Sequence, residues 1–221
     1  MADREAKMAL YDALAAAAKA LASGRRAELV EVLAQGERSV EEASVEIGQS
    51  VANTSQHLRV LAGAGLVTSR RQGNRVLYRL SSDRVEGLWE ALRAVASEHV
   101  AGLDRLAADY LGDRTDLEEV GRAELARRLD DGDLVVWDVR PPVEFAAGHV
   151  VGAVSVPPDE VRRRIQDLLT GTDVVAYCRG SFCVFADDAV RALRRAGHTA
   201  RRLEDGFPEW RRAGLPVAVG A

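Results

Sequence analysis

The sequence predicts a mainly helical domain followed by an α/β domain with a parallel sheet. The first half contains helical patterns and a single hairpin pattern, whereas the second half alternates between helix and strand patterns. A polar break lies between them at Gly112-Asp113-Arg114-Thr115-Asp116. At roughly 100–200 residues per domain, the 221 residues form two small domains, predicted at 1–112 and 116–221.

Four helices are predicted at the start of the chain. Residues 5–22 are rich in Ala and Leu and contain no Gly or Pro, and residues 25–33 have an apolar helical pattern. Ser39 begins a third helix, and Glu42 completes a capping box with it. Ser50 begins the fourth helix, over 51–64.

The fourth helix has a face of short hydrogen-bonding side chains, which are poor helix formers. Such side chains pair with base edges when the second helix of a helix-turn-helix enters the major groove. A hairpin follows over 65–80, and arginines flank its tip at Gln72-Gly73-Asn74, which suits phosphate or minor-groove contact. The predicted DNA-binding residues are Ser50, Asn53, Thr54, Ser55, Gln56, His57, Arg59, Arg70, Arg71, Asn74 and Arg75.

Charge is distributed unevenly along the chain. The net charge of −4 argues against binding nucleic acid by bulk attraction. From Arg59 to Arg84, however, there are six arginines and a single acid, Asp83. A solvated charged face would explain any such run, but its position beside the helix and the hairpin favours a DNA-binding surface.

Residues 10–110 resemble the ArsR/SmtB family of winged-helix repressors, through Ser50–Leu61, Ala64–Val67 and the wing Arg70–Tyr78. The resemblance implies a homodimer that binds a palindromic double-stranded operator. A long helix predicted from Val85 to Leu111 would then form the dimer interface, although an ordinary core-facing helix fits the same apolar stripe. The third helix contains no cysteine, which excludes thiolate metal sensing there.

The second half alternates between helices and strands, which implies a parallel sheet with helices on both faces. Helices are predicted at 119–129, 159–169, 184–196 and 207–212, and strands at 134–138, 152–156, 174–177 and 199–203. Cys178 follows the third of these strands, at the end of the sheet where ligands bind. Loop N–H groups and a helix N-terminus at that position favour a thiolate.

Three motifs make the second half resemble a rhodanese, a family that transfers sulfane sulfur through a cysteine persulfide. They are Asp138-Val139-Arg140 with Glu144-Phe145 and Gly148-His149-Val150, the loop Tyr177–Cys183, and Asp205–Trp210. The resemblance implies that Cys178 is the catalytic cysteine. The loop Arg179, Gly180, Ser181, Phe182, Cys183 and Val184 would surround the persulfide, with Asp138, Arg140, Glu144 and His149 as supporting residues. Arg179 and Arg140 are also candidates for steering an anionic donor.

Cys178 and Cys183 are the only cysteines of the chain. Cys183 has two interpretations: a thiol that resolves the persulfide into a disulfide, or a small apolar residue at the start of a helix.

The leading hypothesis is a transcription regulator, with a repressor expected, whose operator binding depends on persulfide formation at Cys178. The alternative is an active sulfurtransferase with independently regulated DNA binding. A zinc-responsive repressor using His57 or His99 is a third hypothesis. The expected partners are operator DNA, a second copy of the chain, and thiosulfate, polysulfide or a low-molecular-weight persulfide. We expect no metal, no other cofactor, no membrane association and a cytoplasmic location.

Overall fold

The computed structural model describes residues 3–132 and 134–220. Along the chain these residues divide into two compact units, and the division falls between His99 and Val100. The linker predicted at 112–116 lies within the second unit, and the outermost ends of both predicted domains lie outside the described residues. Among the helices that the structure describes, none has the length and apolar character needed to cross a membrane.

The first unit consists of five helices and a small sheet. Its elements are α1 (Arg4–Leu21), α2 (Gly24–Ala34), β1 (Arg38–Ser39), α3 (Val40–Glu46), α4 (Val51–Gly63), β2 (Val67–Gln72), β3 (Arg75–Leu80) and α5 (Asp83–His99). The core is made mainly by α2 and α4, whose Leu29, Val30, Leu58 and Leu61 are fully buried. This is the predicted order of helices and hairpin.

The capping box at the start of α3 is confirmed. The Glu42 amide donates to Ser39 Oγ at 3.2 Å, and the Ser39 amide donates to Glu42 Oε2 at 2.8 Å. The bond from the Ser39 amide lowers the pKa of Glu42. The cap therefore fixes the entry to the helix that precedes α4.

The hairpin formed by β2 and β3 joins β1 in a three-stranded antiparallel sheet, in the order β1-β3-β2. Gln72 pairs with Arg75, so the turn contains only Gly73 and Asn74. Gly73 has a φ of 59°, the left-handed conformation that such tight hairpin turns require. The pairing of β1 with β3 was not predicted, because two residues are too few to give a strand pattern.

The helix predicted from Val85 to Leu111 is interrupted. One helix, α5, ends at His99, and a second, α6 (Leu103–Leu111), begins after Gly102. Gly102 has a φ of 82°, so the backbone leaves the right-handed helical region there. The prediction of one continuous helix was wrong because an isolated glycine within an apolar helical pattern was treated as part of the helix.

The second unit has a five-stranded sheet that confirms the predicted parallel α/β fold. The elements after α6 are β4 (Glu119–Val120), α7 (Arg122–Asp131), β5 (Val135–Asp138), α8 (Pro142–Ala147), β6 (His149–Val150), β7 (Val154–Ser155), α9 (Val161–Gln166), β8 (Asp173–Tyr177), α10 (Phe185–Arg195), β9 (Thr199–Leu203), α11 (Phe207–Arg212) and β10 (Val217–Ala218). The strand order is β4-β9-β8-β5-β7, and every neighbouring pair is parallel. A separate antiparallel pair joins β10 to β6.

Helices cover both faces of this sheet. Alternate residues of β8 enter two different hydrophobic clusters: Val174 and Ala176 pack with α9 and α10, whereas Val175 and Tyr177 pack with α7 and α11. Because β5 and β8 are neighbours in register, Asp138 lies beside Tyr177 at the carboxyl end of the sheet. Cys178 follows directly.

Candidate functional site

The first candidate site is the outer face of α4. Ser50 precedes the helix, and its hydroxyl accepts a hydrogen bond of 3.3 Å from the Asn53 amide. Asn53, Gln56 and Arg59 are exposed, one helical turn apart. These three side chains form an exposed polar ridge along α4.

Three other residues predicted for this face are less accessible. Thr54 is fully buried and shares the inner side of α4 with Leu58 and Leu61. It is a packing residue, so the prediction that it contacts DNA was wrong. Ser55 and His57 are half-buried. The helical period explains the difference, because Thr54, Leu58 and Leu61 recur at the spacing of one helix face.

The arginines of the wing have different surroundings. Arg70 forms a bidentate ion pair with Glu37, which raises the pKa of Arg70. Arg75 lies 3.6 Å from Glu42. Arg71 and Asn74 are exposed on the hairpin. The hairpin thus presents positive charge, part of which is compensated by neighbouring carboxylates.

The second candidate site is the segment Cys178–Val184 between β8 and α10, which we call the sulfur loop. Cys178 is 2% exposed and belongs to the hydrophobic core. A disulfide joins it to Cys183, and their Cα atoms are 6.2 Å apart. The Cys183 amide donates to the Gly180 carbonyl at 3.0 Å, which turns the chain back toward Cys178. Both cysteines therefore lie side by side, and Cys183 lies directly before the N-terminus of α10.

Arg179 is held by Glu144 from α8. Its Nε lies 3.0 Å from Glu144 Oε1, and its Nη2 lies 2.6 Å from the same oxygen. The Glu144 side chain is fully buried, so this ion pair fixes one side of the sulfur loop to α8. Steering of an anionic donor by Arg179 would have to compete with Glu144.

Asp138, Arg140 and Tyr177 form a buried polar cluster beneath the loop. Arg140 Nη2 donates to Asp138 Oδ2 at 2.6 Å and to the Gly148 carbonyl at 2.7 Å. Tyr177 donates to Asp138 Oδ2 at 2.5 Å and accepts from the Val150 amide at 3.0 Å. The Arg140 side chain is fully buried, so the expectation that it steers a donor was wrong. It is a framework residue.

His149 is also buried and held by neighbouring groups. Its ring stacks on Phe145 at 3.6 Å between centroids, and its Nδ1 lies 2.9 Å from the Phe145 carbonyl oxygen. The predicted supporting residues therefore act at different places: Glu144 contacts the sulfur loop, whereas Asp138, Arg140 and His149 stabilise the elements next to it.

Sequence reasoning missed two residues at this site, Arg114 and Asp187. Arg114 donates to the carbonyl oxygens of Ser181 and Cys183 and to the carboxylate of Asp187. Asp187 is fully buried in the first turn of α10. No local pattern marks Arg114, which lies in a polar segment that looked like a plain linker.

Two family comparisons cover most of the chain. The family described as rhodanese-like domain matches residues 122–213, and the family described as bacterial regulatory protein, arsR family, matches residues 23–69. The HTH-type transcriptional regulator Rv0324 of Mycobacterium tuberculosis is 46% identical over 215 residues, which are 97% of this chain and 94% of that protein.

Two further likenesses cover one half each. A sulfurtransferase of Allochromatium vinosum is 30% identical over 105 residues, which are 47% of this chain and 96% of that protein. The solution structure of a homodimeric winged helix-turn-helix DNA-binding domain from Mycobacterium bovis is 41% identical, covers 45% of this chain and 91% of that chain, and has a TM-score of 0.42.

Proposed function

Because the chain belongs to the ArsR-type helix-turn-helix transcriptional regulators and contains a C-terminal rhodanese-like domain, we propose that its operator binding responds to sulfane sulfur accepted at Cys178. The observation that supports this most directly is the pairing of Cys178 with Cys183 at the carboxyl end of β8. Ligands bind at this end of a parallel sheet, so the position of the cysteine pair supports a role in sulfur chemistry.

The first proposed step forms a persulfide. The Cys178 thiolate attacks the sulfane sulfur of thiosulfate or polysulfide, the S–S bond of the donor breaks, and sulfite or a shorter polysulfide leaves. The product is Cys178–S–S⁻. The N-terminus of α10 begins at Phe185, two residues after Cys183, and its dipole favours this anion.

The second proposed step uses Cys183 as the resolving thiol. The Cys183 sulfur attacks the inner sulfur of the Cys178 persulfide, the S–S bond of the persulfide breaks, and hydrosulfide leaves with the proton of Cys183. Two thiols are oxidised to a disulfide and one sulfane sulfur is reduced to sulfide. Low-molecular-weight thiols of the cytoplasm, the proposed location, would return the pair to the reduced state.

On the DNA side, we propose that two copies of the chain bind a palindromic operator. Asn53, Gln56 and Arg59 would face base edges, with the hairpin against the phosphates. Large apolar side chains are exposed along α1 and α5 of the first unit. A second copy of the chain would bury them, which supports a homodimer. They are Met8, Tyr11, Leu14, Leu88, Leu92 and Val95.

The test compares the full-length wild-type protein with its Cys178→Ser and Cys183→Ser variants. The operator is a duplex selected from random sequence by the reduced wild-type protein, and the sulfur donor is sodium tetrasulfide. We expect the wild-type Kd for the duplex to change at least about fivefold on treatment and that of Cys178→Ser to stay constant. If Cys178→Ser responds as the wild type does, Cys178 is not the sensing residue.

Mass spectrometry of the treated samples tests the order of the two steps. The wild type should end as the Cys178–Cys183 disulfide, whereas Cys183→Ser should keep one added sulfur on Cys178. A wild-type protein that stays persulfidated, or a Cys183→Ser protein without added sulfur, would remove Cys183 from the proposed role.

The likeness to a sulfurtransferase favours a second candidate, an enzyme whose DNA-binding domain is regulated separately. Steady-state turnover of thiosulfate with cyanide separates the two. Continuous thiocyanate production that Cys178→Ser abolishes, together with unchanged operator binding, supports the enzyme. A single stoichiometric reaction supports the sensor.

A further inference from the structure

Arg114 links the sulfur loop to the chain segment that leads back to the winged helix. Its Nε lies 2.6 Å from Asp187 Oδ2, its Nη1 lies 2.8 Å from the Ser181 carbonyl oxygen, and its Nη2 lies 3.0 Å from the Cys183 carbonyl oxygen. The side chain is 19% exposed. All three guanidinium nitrogens are therefore engaged, two of them on the sulfur loop.

The backbone around Arg114 is also hydrogen-bonded to the helix that follows the sulfur loop. Arg191 of α10 donates to the Asp113 carbonyl at 2.6 Å, and Arg194 of α10 donates to the Asp116 carbonyl. Leu117, which follows, is buried in the core. The segment around Arg114 is thus bonded to α10 on both sides, and the side chain of Arg114 bonds it to the sulfur loop, so a change in the loop reaches this segment through Arg114.

The state of the two cysteines changes the distance between their sulfur atoms, which the sulfur loop must accommodate. Bonded sulfurs are about 2 Å apart, whereas non-bonded heavy atoms rest at roughly 3.5–4.0 Å, so opening the disulfide separates the sulfurs by about 1.5 Å. Cys178 is fixed, since it is buried and its carbonyl accepts a 3.1 Å bond from the Phe207 amide. The change is therefore accommodated on the side of Cys183, whose carbonyl accepts a hydrogen bond from Arg114.

We propose that Arg114 is a positioning residue that couples the Cys178–Cys183 pair to the segment Asp113–Asp116. The proposal deepens the proposed function and rests on it. When the disulfide opens or a persulfide forms, the Cys183 carbonyl moves, Arg114 follows or releases it, and the backbone at Asp113 shifts. This backbone continues through α6 to the DNA-binding unit.

Arginine suits this position because its planar fork binds three acceptors in fixed directions, which the point charge of lysine does not. Substitution of Arg114 leaves the fold with a compensating contact: Arg202 Nε lies 3.3 Å from Asp187 Oδ1. Asp187 therefore keeps one cationic partner when Arg114 is changed, and the variants should fold.

The test uses full-length Arg114→Gln and Arg114→Lys, with Arg163→Gln as the matched control. Arg163 is exposed on α9 and pairs with Glu160. Each protein is measured for its Kd with the selected duplex, before and after sodium tetrasulfide. We expect the wild type and Arg163→Gln to respond at least about fivefold, and both Arg114 variants to respond less than about twofold with unchanged affinity when reduced. Mass spectrometry should show the same cysteine products in all four proteins.

If the Arg114 variants respond as the wild type does, Arg114 is not the coupling residue, although the proposed function stands. If the wild type shows no response, the proposed function fails and the coupling role fails with it. A separate measurement, the thiol–disulfide equilibrium of the cysteine pair against dithiothreitol, then tests whether Arg114 positions the Cys183 end of the sulfur loop. Arg114→Gln should shift this equilibrium about tenfold, and Arg163→Gln should not. An unshifted equilibrium overturns the positioning role as well.

Discussion

The backbone of Gly206 lies directly against the peptide that joins Arg179 to Gly180. A Cβ atom added to Gly206 would overlap the carbonyl group of Arg179 and the amide nitrogen of Gly180. The φ of Gly206 is −117°, which any residue adopts, so glycine is needed here for space alone. The backbone before α11 therefore packs directly against the sulfur loop.

Replacing Gly206 with alanine should displace the sulfur loop. We expect Gly206→Ala to lower the free energy of unfolding by about 1–3 kcal/mol and to slow the reaction of Cys178 with tetrasulfide by about tenfold to a hundredfold. Stopped-flow loss of reactive thiol measures the rate, and urea unfolding measures the stability. Gly121→Ala is the control, because its Cβ would meet only Glu204, at 3.9 Å. An unchanged rate in Gly206→Ala would contradict the assigned contact.

The hydroxyl of Tyr177 makes a pH-dependent contribution to stability. Burial raises the pKa of Tyr177 well above 10.0, and the charge of Asp138 raises it further. Because the pKa is higher in the folded state than in the unfolded state, the phenol stabilises the fold fully below pH 10, and this contribution is lost as the pH rises toward the folded-state pKa.

Tyr177→Phe should lower the free energy of unfolding by about 1–3 kcal/mol at neutral pH, since Asp138 and the Val150 amide each lose a partner. The difference in unfolding free energy between the two proteins should shrink above pH 10. At that pH the Tyr177 phenol ionises in the unfolded wild type but not in the folded wild type, which favours unfolding of the wild type alone. Urea unfolding between pH 7 and pH 11 checks this. Tyr110→Phe is the control, because Tyr110 is 66% exposed. A constant difference across this range would rule out the assigned role.

Local signals in the sequence were enough for most elements. Three of them match the predictions: the cap at Ser39, the strand Thr199–Leu203 and the helix Phe207–Arg212. Each is determined by residues close to it in sequence. The two-residue strand β4 exists only because β9 lies beside it, so no local pattern could indicate it. Arg114 was missed for the same reason: its partners are 67 to 73 residues away in sequence.

The wing should contribute to DNA affinity mainly through charge. Arg71 is exposed on β2, whereas its neighbour Arg70 is already paired with Glu37. If Arg71 contacts a phosphate, its cation releases about one counterion on binding. Arg71→Gln should then weaken binding to all duplexes by a similar factor and reduce the slope of log K against log salt by about one.

Fluorescence anisotropy of the selected duplex and of a scrambled duplex, at several salt concentrations, measures this slope. Gln56→Ala gives the contrasting pattern, because an exposed amide on α4 that reads a base edge changes the preference between duplexes and leaves the slope unchanged. If Arg71→Gln changed sequence preference and not the slope, the hairpin would contact bases, and the division between a reading helix and a phosphate-binding wing would be wrong.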